Sequence, residues 1–253
     1  MNTISISTQK GGVAKSTSTI EIASILKSRG YKVLVIDFDQ QCSLSKNIAA
    51  DLSAPSIYEV LQGKISIKDA IQKNELFDII PGSESLSKAD REFVEADAIF
   101  LLSDLKDFVA DDYDFLFIDN GPSRNVLLTM TLIACDYLII PTECDESSID
   151  GLVTIQKDLK HFVEGKRSFS HAKVMGYILT KYERTNAHAI ALENITEIAK
   201  ENDFKPFVSV VSKAISFSNV KTFHTALSLM DKRHKATKEY NKIVDNILKK
   251  VGK

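Results

Sequence analysis

Residues 10 to 17 read Lys-Gly-Gly-Val-Ala-Lys-Ser-Thr, two lysines around a glycine pair with two hydroxyls behind them. Phosphate binding uses this combination. The glycines let the backbone N–H groups of Gly11, Gly12, Val13 and Ala14 turn inward as a concave nest, and a helix starting near Lys15 or Ser16 adds the positive end of its dipole. Lys15 then reaches β- and γ-phosphates as a point charge, Ser16 offers its hydroxyl to Mg²⁺, and Thr17 bonds a further phosphate oxygen. Three more sets of polar residues follow apolar runs. Asp37 and Asp39 come after Val33-Leu34-Val35-Ile36; Asp119, Asn120 and Gly121 after Phe115-Leu116-Phe117-Ile118; Lys181, Arg184 and Asn186 after Tyr177-Ile178-Leu179-Thr180. Phosphoryl transfer asks little covalent chemistry of a protein, so carboxylates that position water and cations that neutralise charge are most of what such a set must supply.

For these residues to meet, the runs that carry them must lie side by side. Apolar and β-branched patterning predicts strands at 3–8, 32–37, 77–80, 113–118, 136–141, 173–180 and 207–211. Helical spacing predicts helices at 16–29, 84–110 with a break, 123–134, 147–164, 187–202 and 235–251. Strand and helix alternate, which gives an α/β fold: a doubly wound, mostly parallel sheet with helices on both faces. Ligands of such sheets bind beyond the carboxyl ends of strands, where all four polar sets fall. The 253 residues show no composition break, linker or repeat, so one domain over 1–253 is expected.

No apolar run approaches the length of a membrane span and no basic-then-apolar leader precedes the first strand, so a cytoplasmic protein is expected. Cys42, Cys135 and Cys144 have neither CxxC nor Cys/His spacing, and no metal–sulfur site is expected. The net charge of −2 hides an asymmetry: residues 1–150 hold 13 Lys and Arg against 24 Asp and Glu, residues 151–253 hold 19 against 10. The basic C-terminal part suits a polyanion, although solvated helix faces explain it as well.

The octapeptide departs from the general pattern G-x-x-x-x-G-K-[ST] at Ala14, just before Lys15. A Cβ is costly there where the backbone must take positive φ or approach phosphate closely. With Lys10 at its head, "KGGVAKST" resembles the deviant Walker A box, KGGxxK[ST], of the ParA/MinD family of ATPases. "VLVIDFDQQCSLS", "FLFIDNGPS" and "CDYLIIPTECDESSIDGL" resemble that family's later segments, in the same order, over about the whole chain. The resemblance implies a P-loop NTPase-like fold, ATP and Mg²⁺ as cofactors, and a homodimer closed over two ATP molecules, with Lys15 serving its own nucleotide and Lys10 the neighbour's. It implies that Asp39 orients the attacking water or senses the γ-phosphate. Asp119 would hold Mg²⁺ with Ser16, and Asp37 would support the Mg²⁺ shell or the switch conformation. "TKYERTN" at 180–186 and "VVSKAISFSNV" at 210–220 resemble the family's base-flanking loops, which points to Arg184, Asn186 and Lys213. Gly121 stands where many relatives have the first of two prolines, and Ser212 where they often have proline.

The closest likeness within the family is to ParA-type DNA partition ATPases of the short kind. No helix-turn-helix precedes the first strand, so sequence-specific operator binding is not expected. The implied function is an ATP-dependent dimerising switch that binds DNA without reading its sequence and partitions plasmid or chromosomal DNA, its hydrolysis stimulated by a ParB-like centromere-binding partner. Lys213, Lys221, Lys232, Arg233 and Lys235 are the candidate phosphate contacts to DNA, and the expected location is the nucleoid. Two alternatives stay open. One is a MinD-like membrane-associated ATPase, anchored by Tyr240, Ile243, Ile247 and Val251 at helical spacing, although that stripe more often means core packing and a membrane partner is not expected. The other is a non-hydrolysing ATP-binding scaffold, motivated by Ala14 and the altered loop at Gly121.

Overall fold

The computed structural model describes residues 1–166 and 168–253. Strands β1 (Asn2–Ile6), β2 (Val33–Phe38), β3 (Asp78–Ile80), β4 (Phe115–Asn120), β5 (Tyr137–Thr142), β6 (Lys173–Tyr182) and β7 (Phe207–Ser212) form one sheet in the order β3-β2-β4-β1-β5-β6-β7. Every strand pairing in it is parallel. The helices are α1 (Lys15–Ser28), α2 (Ser43–Asn47), α3 (Ile57–Leu61), α4 (Ala89–Glu92), α5 (Leu101–Asp107), α6 (Val126–Ala134), α7 (Glu146–Glu164), α8 (Asn186–Glu201), α9 (Ser216–Thr222), α10 (Leu227–Met230) and α11 (Lys235–Lys250).

Strand periodicity sorts the core into two layers. Val33 and Val35 of β2, with Phe115 and Phe117 of β4, pack with α1 and α11 on one face. Their neighbours Leu34, Ile36, Leu116 and Ile118 pack with α3 and α6 on the other. Farther along that second face Leu138, Ile140 and Leu179 lie under α7 and α8. Side chains that alternate this way bury both faces of the sheet, as parallel strands require. β1 is central, with β4 on one side and β5 on the other, so the chain reverses its direction of winding around β1. The crevice at that reversal opens at the carboxyl ends of β4, β1 and β5.

Several elements differ from expectation. β1 ends at Ile6, so Ser7 and Thr8 belong to the following loop, although the Ser7 N–H still donates to the Ile139 carbonyl at 3.2 Å. The pattern over 84–110 breaks into 3₁₀ turns at Glu84–Lys88 and Ala96–Phe100 and the short helices α4 and α5, because Leu86, Ala89, Ala98 and Leu102 meet the core at irregular spacing. Helices α2, α3, α9 and α10 were not expected. For α3 a signal existed in Ser56-x-x-Glu59, a capping box in which Ser56 Oγ accepts from the Tyr58 N–H at 3.2 Å and Glu59 Oε2 from the Ser56 N–H at 3.0 Å.

The C-terminal apolar stripe is core. Tyr240, Ile243 and Ile247 are buried and Val251 packs against them, which leaves that stripe unavailable to lipid. Among the described residues no helix is long and apolar enough to cross a membrane.

Gly176 of β6 pairs with Phe207 of the edge strand β7, and a Cβ at 176 would lie 2.4 Å from ring carbons of Phe207. The glycine leaves room for the ring to cover the strand, a device that pins edge pairing. Gly176→Ala should lower stability in urea unfolding by about 1–3 kcal/mol, and adding Phe207→Ala should recover part of that loss.

Candidate functional site

β1 runs into the loop of residues 7–14, where Gly12 has φ 79° and Ala14 φ 60°. A Cβ on Gly12 would meet nothing within 4 Å, so that glycine serves the backbone angle rather than a need for room. Ala14 takes the same left-handed region with its Cβ in place, at a cost of about 1–2 kcal/mol. Its carbonyl accepts the first bond of α1, from the Ser18 N–H at 2.9 Å. The first turn of α1 has neither a capping side chain nor an acidic residue, so its terminal N–H groups are left for an anion. The Val13 side chain is buried, and its carbonyl accepts from Thr180 Oγ1 at 3.3 Å, which ties the loop to the end of β6.

Lys15 is buried and donates from Nζ to the Lys10 carbonyl at 2.9 Å. Burial pushes its pKa down, while the charges of Asp119 and Asp39 pull it back up. Asp37 and Asp119 are register partners at the ends of β2 and β4, both fully buried. Burial raises the pKa of each, and the charge of Asp37 raises that of Asp119 further. Adjacent carboxylates out of water repel, and a proton or a cation between them relieves the strain.

The two carboxylates differ in what they have free. Asp119 Oδ1 accepts from Thr19 Oγ1 at 3.1 Å, the Ser16 side chain lies close enough to favour the charged carboxylate, and Oδ2 is buried with no partner. A bare buried carboxylate oxygen beside a hydroxyl fits Mg²⁺, which takes one or two carboxylates and fills its octahedron with water and phosphate oxygens. Among the described residues no three His, Cys, Asp or Glu side chains cluster to cage a metal without such help. Asp37, by contrast, is spoken for. Its Oδ2 accepts from the Ser45 N–H at 2.8 Å and Ser45 Oγ at 2.7 Å, and its Oδ1 from the Asp39 N–H at 3.3 Å. These bonds tie the end of β2 to the first turn of α2.

The loop opens on a cavity of about 670 Å³ whose lining includes Gly11, Gly12, Ala14, Lys15, Ser16, Thr17 and Asp39, with Lys213, Lys221, Phe217 and Tyr240 across from them. Its size suits a small molecule. Lys181 lines it too, with φ 52° and an ion pair to Glu143 at 2.7 Å. Arg184 and Asn186, expected beside a base, do not line this cavity. Just before them Lys181 has a positive φ and the β6–β7 pairing shifts register between Leu179 and Tyr182. Arg184 lines a neighbouring depression of about 500 Å³ with Lys213, Ile215 and Lys235, and Asn186 is the exposed first residue of α8. The cations assigned to DNA therefore divide. Lys213 and Lys221 stand at the cavity, while Lys232, Arg233 and Lys235 are exposed around the start of α11. Lys213 pairs with Glu183 at 3.4 Å and Lys235 with Glu239 at 3.7 Å. Asn120 is structural: it is buried, donates to Ser7 Oγ at 2.9 Å and accepts from Thr131 Oγ1 at 2.9 Å.

Lys10 is held within its own chain. Its Nζ donates to both Asp145 oxygens, at 2.7 and 2.8 Å. Burial alone would raise the Asp145 pKa, but hydrogen bonds from Lys10, Ser147 and Ser148 hold it well below the usual carboxylate range. Gln9 also reaches α7, donating to Asp158 at 2.8 Å, and Arg124 pairs with the same carboxylate. Sequence reasoning missed Asp145, yet the signal was there: it follows β5, the one strand end beside the phosphate loop whose polar residues had not been read. Gln41, Ser43, Asn47 and Phe217 line the cavity without any spacing that marks them.

The model of the AAA domain family matches residues 1–171. The chain is 27% identical over 255 residues to the chromosome partitioning protein ParA of Caulobacter vibrioides, covering 98% of this chain and 94% of that one. A plasmid partition protein of Borrelia burgdorferi is 26% identical with a TM-score of 0.78 over 98% of each chain. Cobyrinic acid a,c-diamide synthase of Mycobacterium smegmatis, solved with an ATP analogue and magnesium, has a TM-score of 0.81 at 22% identity, over 98% of this chain and 94% of that one. At that identity the likeness is one of fold.

The raised pKa of Asp119 has a thermodynamic consequence. The folded chain holds that proton more tightly than the unfolded chain, so this group's contribution is most favourable below the ordinary carboxylate pKa of about 3.9 and falls as pH rises through the elevated one. In the absence of nucleotide, Asp119→Asn should melt at a higher temperature than the unaltered protein at pH 8. The gap should narrow toward pH 5 in thermal scans.

Proposed function

We propose an ATP-driven DNA-partition switch as the function of this chain, which belongs to the AAA domain family of ParA/MinD-type P-loop ATPases. One observation carries the reading. Asp119 Oδ2 is buried without a partner near Ser16 and Lys15, at the root of a loop that lines a cavity. A nucleoside triphosphate with Mg²⁺ answers all of these groups at once.

On binding, Lys15 exchanges the Lys10 carbonyl for phosphate oxygens, and the N–H groups from Gly11 to Ala14 and the start of α1 take the rest. Ser16 and Asp119 would hold Mg²⁺, which neutralises phosphate charge and makes the γ-phosphorus more open to attack. Asp39, on the cavity wall, orients the water. The water oxygen forms the new P–O bond as the bond from the γ-phosphorus to the β–γ bridging oxygen breaks. ADP leaves with that electron pair, and the water proton passes to phosphate or solvent.

Lys10 serves the nucleotide of a second copy. To do so it leaves Asp145, and a pair whose side chains are 31% and 44% exposed contributes no more than about 1 kcal/mol. A triphosphate outcompetes that readily. The closed dimer then presents its basic C-terminal parts to DNA phosphates in the cytoplasm, and a ParB-like partner ends the cycle by stimulating hydrolysis. Relatives that partition chromosomes and plasmids support this assignment.

In a DNA mobility assay, retardation should appear with ATP, not with ADP or without nucleotide, and should vanish in Lys15→Ala. With about five phosphate contacts, affinity should fall roughly 10²–10³-fold between 50 and 200 mM salt. Retardation that ignores nucleotide, or none at low salt, overturns the DNA role. Asp145→Ala should lower the ATP-dependent dimer dissociation constant about 5- to 30-fold in sedimentation, two freed lysines acting per dimer, while Lys10→Ala should abolish dimerisation.

A further inference from the structure

We propose that Gly121 is a positioning residue whose missing side chain seats the Asp39 carboxylate against the loop after β4. This rests on the role given to Asp39 above. A Cβ on Gly121 would lie 2.9 Å from Asp39 Oδ1, 3.1 Å from Cγ and 3.5 Å from Oδ2. Non-bonded heavy atoms attract best at about 3.5–4.0 Å, so Asp39 and a side chain at 121 cannot both keep these places. Gly121 is not among the glycines with positive φ, and its backbone does not require glycine. What position 121 needs is room, and the room is filled by the carboxylate.

The seat is fixed on its other sides. Asp39 Oδ1 accepts from the Gln41 N–H at 3.0 Å, which holds the carboxylate from within the turn that follows β2. The loop that carries Gly121 continues through Pro122, on the cavity wall, to Arg124, which pairs with Asp158 of α7. Gln9 of the phosphate loop bonds the same Asp158. The surface behind Asp39 and the loop that would hold phosphate are thus referred to one residue of one helix. Asp39 stands at a set place relative to Lys15 because Gly121 lets it lean there.

Gly82 provides the contrast. A Cβ there would lie 3.0 and 3.1 Å from the backbone carbonyl oxygens of Asp39 and Asp37, so a side chain at 82 displaces the strand end. At 121 the obstacle is the free end of one side chain, which moves alone. Gly82→Ala should therefore lower the melting temperature, whereas Gly121→Ala should keep it within a few degrees and move the carboxylate.

The test is single-turnover and steady-state hydrolysis of γ-labelled ATP by the full chain and by Gly121→Ala, Asp39→Ala and the double variant, with melts of each and of Gly82→Ala. Gly121→Ala should lower kcat at least fivefold with KM within about twofold, and the double variant should be no slower than Asp39→Ala. Unchanged kcat in Gly121→Ala overturns the proposal. So does a further fivefold loss on adding Gly121→Ala to Asp39→Ala, which would mean an effect that does not pass through the carboxylate. If Asp39→Ala itself hydrolyses at the unaltered rate, the role of Asp39 falls and takes this inference with it, an outcome separate from the other two.

Discussion

Two carboxylates, Asp37 and Asp119, end neighbouring parallel strands side by side, both fully buried. Such a pair is unfavourable by itself, since each charge is desolvated and each raises the other's energy. Parallel pairing makes the adjacency unavoidable once both strands finish on an aspartate at the same register. The surrounding structure answers by dividing the labour. Asp37 is satisfied by Ser45 and by the Asp39 N–H, and so organises the turn into α2. Asp119 retains a bare oxygen near Lys15, where a proton or a cation relieves the repulsion.

The phosphate loop follows the same logic of incompleteness. Lys15 is buried against a backbone carbonyl, a weak substitute for an anion, and α1 begins with no side chain on its N–H groups. Ala14 adds backbone strain in the left-handed region where glycine would add none. Strain and unpaired groups gathered at one loop mark a place that the remainder of the molecule stabilises for the sake of binding.

That remainder is rigid and connected. α1 ties the loop to the C-terminal elements by hydrogen bonds and an ion pair. Glu21 accepts from the Leu227 and Ser228 N–H groups at 2.7 and 2.9 Å, Ser18 and Tyr240 share a hydrogen bond of 2.9 Å, and Arg29 pairs with Asp245 at 2.7 Å. The apolar stripe of α11 packs on the same helix and sheet face, so the basic end of the chain and the phosphate loop are two ends of one packed layer. The contacts of Gln9 with α7 and of Lys10 with Asp145, the residue that caps it, join the loop to the opposite face.

The strand and helix order, the doubly wound class and the phosphate loop were legible in the sequence because each depends on residues within a few positions of one another. Period-two apolar runs mark strands, and a glycine pair between lysines marks a nest. The short helices α2, α3, α9 and α10 escaped, each spanning seven residues or fewer, too few to show a 3.6-residue period. Other features depend on residues far apart. Lys10 meets Asp145, 135 positions away. Asp37 is consumed by Ser45 while Asp119 is not, Arg184 and Asn186 do not line the cavity, and Gly121 comes under the Asp39 carboxylate. Only the tertiary structure decides these, because they are set by strand register, where a slip of one residue sends a side chain to the other face, and by loops whose paths no local pattern encodes.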